Sequence, residues 1–135
     1  MHILIVEDET MVRDSLTRVL AHAGHTTCWA ATGASAIRLL ESEPIDLVLL
    51  DLCLGPGISG LDVARYKIEH ESLRHVPMII VTGLSTDKVH ERAQVNPLQG
   101  ALLTLSKPVD IDLLLRAIRS LDGHRTEQRT EQTKG

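Results

Sequence analysis

Four short polar clusters in this chain have side chains that could work together. Glu7, Asp8 and Glu9 follow an apolar run, Asp51 follows Leu47 to Leu50, Thr82 follows Met78 to Val81, and Ser106, Lys107 and Pro108 follow Ala101 to Leu105. Carboxylates held close together repel and raise one another's pKa values. A hard divalent cation relieves that repulsion. An all-oxygen donor set suits magnesium, which keeps several waters and commonly joins a phosphoryl oxygen. Asp51 could then act as a carboxylate nucleophile and take a phosphoryl group as an aspartyl phosphate. Metal and the Lys107 ammonium would neutralise charge on the transferring group, and the Thr82 hydroxyl could donate to one of its oxygens.

Singly, each cluster has a plainer reading. An acidic loop is most often a solvated turn or the charged start of a helix. Asp51 could cap a helix, Thr82 could simply end a strand, and Lys107 could be a solvated charge. The set gains its meaning from order: each cluster stands at the carboxyl end of a strand-like run. In open α/β sheets that is where ligands bind.

The elements needed to bring the clusters together are present. His2 to Val6 is a compact strand-like run. Met11, Val12, Leu16, Val19 and Leu20 then recur at helical spacing, and Gly24 stands where such a helix would end. Thr26 to Ala30 reads as a second strand. Thr32 can cap a helix with Ala36, Ile37, Leu39 and Leu40 on its apolar face, stopped by Pro44. Leu47 to Leu50 and Met78 to Val81 are continuously apolar, as expected of strands buried on both faces. Gly55, Pro56 and Gly57 predict a turn. Ser59 and Asp62 have capping-box-like spacing before a helix bearing Val63, Ala64 and Ile68. Thr86 to Ala93 predicts a short helix that Pro97 must stop. Ala101 to Leu105 is a fifth strand, and Asp110 can cap a last helix carrying Leu113, Leu114, Ala117, Ile118 and Leu121. Five strand–helix alternations with buried strands argue for a parallel sheet covered by helices on both sides.

At 135 residues and 43% hydrophobic content the chain can bury one core. With 1% aromatic residues and no Phe, that core must be aliphatic. A net charge of -4 with dispersed basic residues leaves no electrostatic footprint for nucleic acid or for a membrane surface. Met1 to Val6 is too short for a signal peptide or a span, so a cytoplasmic location is expected. Cys28 and Cys53 form no metal-type or redox pair. The seven histidines are dispersed and read as exposed or satisfied, and Trp29 and Tyr66 read as packing residues. Gly55, Gly57 and Gly60 follow no first strand and so make no dinucleotide fingerprint. From about Asp122 the composition turns polar. Residues 1–122 are therefore expected to form the domain and 123–135 a disordered tail or linker stub.

Glu7-Asp8 after the first strand, Asp51 after Leu47 to Leu50, Thr82, and Lys107-Pro108 resemble the signature of receiver domains of two-component response regulators, the CheY-like superfamily. The resemblance covers roughly residues 1 to 122. It implies a flavodoxin-like (βα)5 three-layer sandwich, a five-stranded parallel sheet in the order 2-1-3-4-5 with helices on both faces. It implies Asp51 as phosphoacceptor, with Thr82 and Lys107 contacting the phosphoryl group. It also implies Mg2+ held by Asp8 and Asp51, by Glu7 through water, and by the backbone carbonyl of Cys53. The donor would be a sensor histidine kinase or a phosphotransfer protein. The recipient of the signal would be a downstream effector protein or an output domain outside this chain. Such a protein is a signalling switch that catalyses only its own phosphorylation and dephosphorylation.

The chain departs from the family pattern at Glu7, where Asp is more common, at Gly55, which looks inserted, and in the long stretch from Thr82 to Gly100. At Thr104 the family usually has Tyr or Phe, and Thr82 to Lys107 contains no aromatic. Those departures motivate an alternative, a receiver-like interaction module that works independently of phosphorylation. Retention of Asp8, Asp51, Thr82 and Lys107 together argues against it. A phosphatase or a mononucleotide-binding enzyme fits less well. Residue 53 is Cys where an acid–base Asp is needed, and acids stand where phosphate-binding glycines would be.

Overall fold

The strands form where the alternation of the sequence puts them. In a computed structural model that describes residues 1–52, 60–83 and 101–134, with side chains through Gly123, they are β1 (His2–Val6), β2 (Thr26–Ala30), β3 (Leu47–Leu50), β4 (Met78–Thr82) and β5 (Ala101–Ser106). All neighbours pair parallel, in the order β2-β1-β3-β4-β5. This is the flavodoxin-like receiver topology. The helices are α1 (Thr10–His22), α2 (Gly33–Ser42), α3 (Gly60–Glu69) and α4 (Ile111–Lys134). The predicted turn at Gly55 to Gly57, the capping residue Ser59 and the helix expected over Thr86 to Ala93 lie outside the described residues.

Side-chain parity divides the core into two layers. Leu4 and Val6, Val48 and Leu50, and Met78 and Ile80 point to one face, where Ala36 and Leu40 of α2 and Val63 and Ala64 of α3 cover them. Ile3 and Ile5, Leu47 and Leu49, and Ile79 and Val81 point to the other, under Leu16 and Leu20 of α1 and Leu114 and Ile118 of α4. Successive strand residues face opposite sides. An uninterrupted apolar run is therefore what a strand covered on both faces requires.

Local signals act as read. The left-handed turn at Gly24, with φ of 93°, redirects the chain into β2. Thr32 Oγ1 accepts from the Ser35 N–H at 3.1 Å, and Ser35 Oγ accepts from the Thr32 N–H at 3.3 Å, a reciprocal box at the start of α2. Asp110 Oδ1 accepts from the Leu113 N–H at 3.1 Å at the start of α4.

One expectation differs. Trp29 is exposed and does not pack in the core; its ring carries the Arg13 guanidinium 3.8 Å from the centroid. The backbone of α4 runs as helix to Lys134. Arg, Glu and Gln propagate a helix well without an apolar face to pack.

His25, between α1 and β2, gives the fold a pH dependence. Burial holds its imidazole below the ordinary histidine range. The N-terminal ammonium, whose nitrogen stands 3.1 Å from Nδ1, adds to this, and Asp122 pulls the other way. A base with a lowered folded-state pKa binds fewer protons folded than unfolded, so stability rises with pH. The loss sets in as pH falls through the unfolded value of about 6.5 and is complete below the folded one. Urea melts from about pH 7.5 to about pH 5.5 are expected to show a steeper loss in the wild type than in His25→Gln. Equal slopes would remove His25 as the cause.

Candidate functional site

Three backbone hydrogen bonds carry the sheet ladder one residue past the strands and fix the site. The Glu7 N–H donates to the Ala30 carbonyl at 3.0 Å, the Asp51 N–H to the Val6 carbonyl at 3.0 Å, and the Lys107 N–H to the Thr82 carbonyl at 2.9 Å. Glu7, Asp51, Thr82 and Lys107 therefore stand in a row at the carboxyl ends of β1, β3, β4 and β5. The Lys107–Pro108 peptide that follows is cis.

The Lys107 ammonium gathers the acids. Its Nζ lies 2.9 Å from Glu7 Oε2, 3.1 Å from Asp51 Oδ2 and 3.8 Å from Glu9 Oε1. Glu7 is 2% exposed and Asp51 3%, and Thr82 is fully buried. Asp8 is exposed on the rim, yet one carboxylate oxygen from each of Glu7, Asp8 and Asp51 lies within 4.8 Å of the others. Burial pushes the Glu7 carboxyl above its usual range; the hydrogen bond from Lys107 opposes that, and the Asp51 charge adds to it. For Lys107 burial acts downward, but the hydrogen bonds to Glu7 and Asp51 outweigh it, and its pKa is raised.

The donor set fits a hard divalent cation. Three clustered carboxylates against one ammonium leave two net negative charges when all are ionised. Oxygen-only ligands with one exposed member suit an ion that keeps part of its water shell.

The structure thus brings together Glu7, Asp8, Asp51 and Lys107, with Thr82 in the same row. Cys53 lies outside the described residues. Two contacts escape a reading of strand ends alone. Glu9 reaches Lys107 from the rim, and Arg13 Nη1 donates to the Glu7 carbonyl at 3.3 Å. Arg13 was findable only from the start of α1 at Thr10, which places it one turn into the helix, facing back over β1.

The model for the response regulator receiver domain matches residues 3–119. The chain belongs to that family. Receivers are signalling proteins of two-component systems and not classical enzymes. This one is 35% identical to the protein PilH of Pseudomonas aeruginosa over 121 residues, covering 88% of this chain and 95% of PilH. It superposes with a TM-score of 0.79 and 28% identity on the receiver domain of a sensor histidine kinase from Pseudomonas aeruginosa, solved with a magnesium ion in its active-site cleft; 90% of this chain and 97% of that one are covered. The response regulator TrrA of Thermotoga maritima, solved with Mg(2+)-BeF, gives a TM-score of 0.75 and 28% identity over 89% of this receiver and 97% of TrrA.

Proposed function

We propose that this receiver takes a phosphoryl group onto Asp51 from a phosphohistidine of a sensor kinase or phosphotransfer protein. The phosphorylated form then presents an altered surface to a downstream effector or output domain. The observation that carries the reading is the Lys107 ammonium bridging buried Glu7 and Asp51 beside Asp8. The two solved relatives that hold magnesium support it.

In the transfer an Asp51 carboxylate oxygen attacks phosphorus. The bond from phosphorus to the imidazole nitrogen breaks, and the imidazole leaves with the electron pair. Lys107, within 3.1 Å of Asp51 Oδ2, is placed to follow the incoming phosphoryl oxygens, and the Thr82 hydroxyl donates to another. Asp8 and Asp51, Glu7 through water, and the Cys53 carbonyl would hold Mg2+. When bound, the ion neutralises phosphoryl charge and orients the group for in-line attack. Burial of Asp51 and Thr82 restricts water at the acyl phosphate and so slows its loss.

Residues 1–122 make up the working domain, and 123–135 serve as a polar linker stub outside it. Among the described residues no helix is long and apolar enough to cross a membrane; a cytoplasmic protein without nucleic-acid contacts of its own fits the reading. Intact mass after incubation with acetyl phosphate and magnesium tests it. One phosphoryl adduct is expected, absent in Asp51→Asn and absent when magnesium is chelated. No adduct from small donors or a kinase, together with no magnesium binding, would favour the phosphorylation-independent module that Thr104, exposed on β5, first suggests.

A further inference from the structure

The opposite end of the sheet holds a second cluster that the phosphoryl chemistry does not use. His2 opens β1. Thr26 pairs with it in register on β2, and Cys28 lies two residues further along. Positions 2, 26 and 28 point to the face covered by α2, and Glu43 ends that helix. One His2 ring nitrogen, the Cys28 Sγ and one Glu43 carboxylate oxygen all lie within 4.8 Å of one another. His2 Nε2 is 2.7 Å from Glu43 Oε2, and the Cys28 thiol stands beside that pair. A plain histidine–glutamate ion pair would need no thiol.

We propose that His2, Cys28 and Glu43 form a binding site for Zn2+, with water in the fourth position. Thiolate, imidazole and carboxylate are the three protein donors zinc takes, and three of them with one open position is its usual accessible arrangement. The sulfur selects against magnesium and so separates this site from the all-oxygen one. A ligating histidine normally has its other ring nitrogen hydrogen-bonded, and Thr26 Oγ1 stands 2.8 Å from His2 Nδ1. The side chains of His2 and Glu43 are 25% and 39% exposed, so an ion can enter.

The charges suit a dication. Burial first, then Glu43, push the Cys28 thiol up to about 11. Zinc takes its ligands deprotonated, and neutral imidazole, carboxylate and thiolate around Zn2+ leave the loaded site neutral. The ion would tie β1, β2 and the end of α2 together, about 17 Å along β1 from the phosphoacceptor end. The inference is independent of phosphorylation.

Cobalt as a spectroscopic substitute tests it on the full chain, under a non-thiol reductant and in saturating magnesium that occupies the carboxylate site. The expected result is one Co2+ per chain, with tetrahedral visible bands and a thiolate-to-metal charge-transfer band, all displaced by equimolar Zn2+. Cys28→Ser should abolish the charge-transfer band and Cys53→Ser should keep it. His2→Gln and Glu43→Gln should weaken binding by about tenfold or more, with folding checked by circular dichroism. Zn2+ should also raise the Tm of the wild type and not of Cys28→Ser. A wild-type spectrum without the charge-transfer band overturns the site whatever the variants do. So does a band that survives Cys28→Ser.

Discussion

Lys107→Ala is expected to slow phosphorylation by acetyl phosphate about 100-fold or more, the scale set by removing one aligned donor from a charge-stabilising site. It should also destabilise the metal-free domain by about 3 kcal/mol, because truncating one partner of a buried ion pair strands the other. Here two carboxylates are stranded, Glu7 and Asp51, while Lys107 itself is only 17% exposed. Magnesium should restore more stability to the variant than it adds to the wild type, since it would be the remaining cation. Acid should help as well. Glu7 already has a raised pKa, and a carboxyl that binds its proton more tightly folded than unfolded favours the fold as pH falls. Thermal melts with and without magnesium would check this. A variant that melts like the wild type in chelator would mean that Lys107 does not hold the two acids together.

Gly60→Ala is the second large effect. Gly60 opens α3 against the end of β3. A Cβ there would stand 2.7 Å from the Leu52 Cα and 2.9 Å from the Asp51 carbonyl carbon, and it would also meet the Asp51 carbonyl oxygen. Those neighbours are backbone and cannot rotate aside, so either α3 or the acceptor loop must move. Overpacking of this kind costs about 3 kcal/mol, or roughly 10 °C in Tm. Phosphorylation should fall with it, because the displaced peptide is Asp51's own. Gly123→Ala is the control: it has open space around it, lies in helical backbone and should be neutral or slightly stabilising. A Gly60→Ala protein melting within a degree of the wild type would rule out the close approach.

The strands were legible because burial on both faces leaves a mark that needs no tertiary knowledge: Leu47 to Leu50 and Met78 to Val81 have no polar residue to place. The row of Glu7, Asp51, Thr82 and Lys107 was legible for a related reason. Polar residues that end such runs must emerge on one edge of a parallel sheet. Gly60 was read only as failing a nucleotide fingerprint, since its close approach depends on how α3 meets β3. The His2, Cys28 and Glu43 cluster has no spacing to read; β1–β2 register and the length of α2 create it. Trp29 was misread because apolar character does not say which strand is at the edge. The helical backbone beyond Gly123 reflects helix propensity in a polar stretch, which a search for apolar faces passes over.

The contact between Lys107 and Glu7 spans 100 residues of chain, and β3 and β4 lie between their strands. Contacts of such separation form late, after the loops they close have been ordered. A chain still being synthesised holds the acids of β1 and β3 long before it holds the lysine. Until Lys107 has emerged and β5 has joined β4, those carboxylates lack their cation. On the proposed function, competence for phosphorylation would therefore report that nearly the whole domain has assembled, and a partly made chain should take no phosphoryl group.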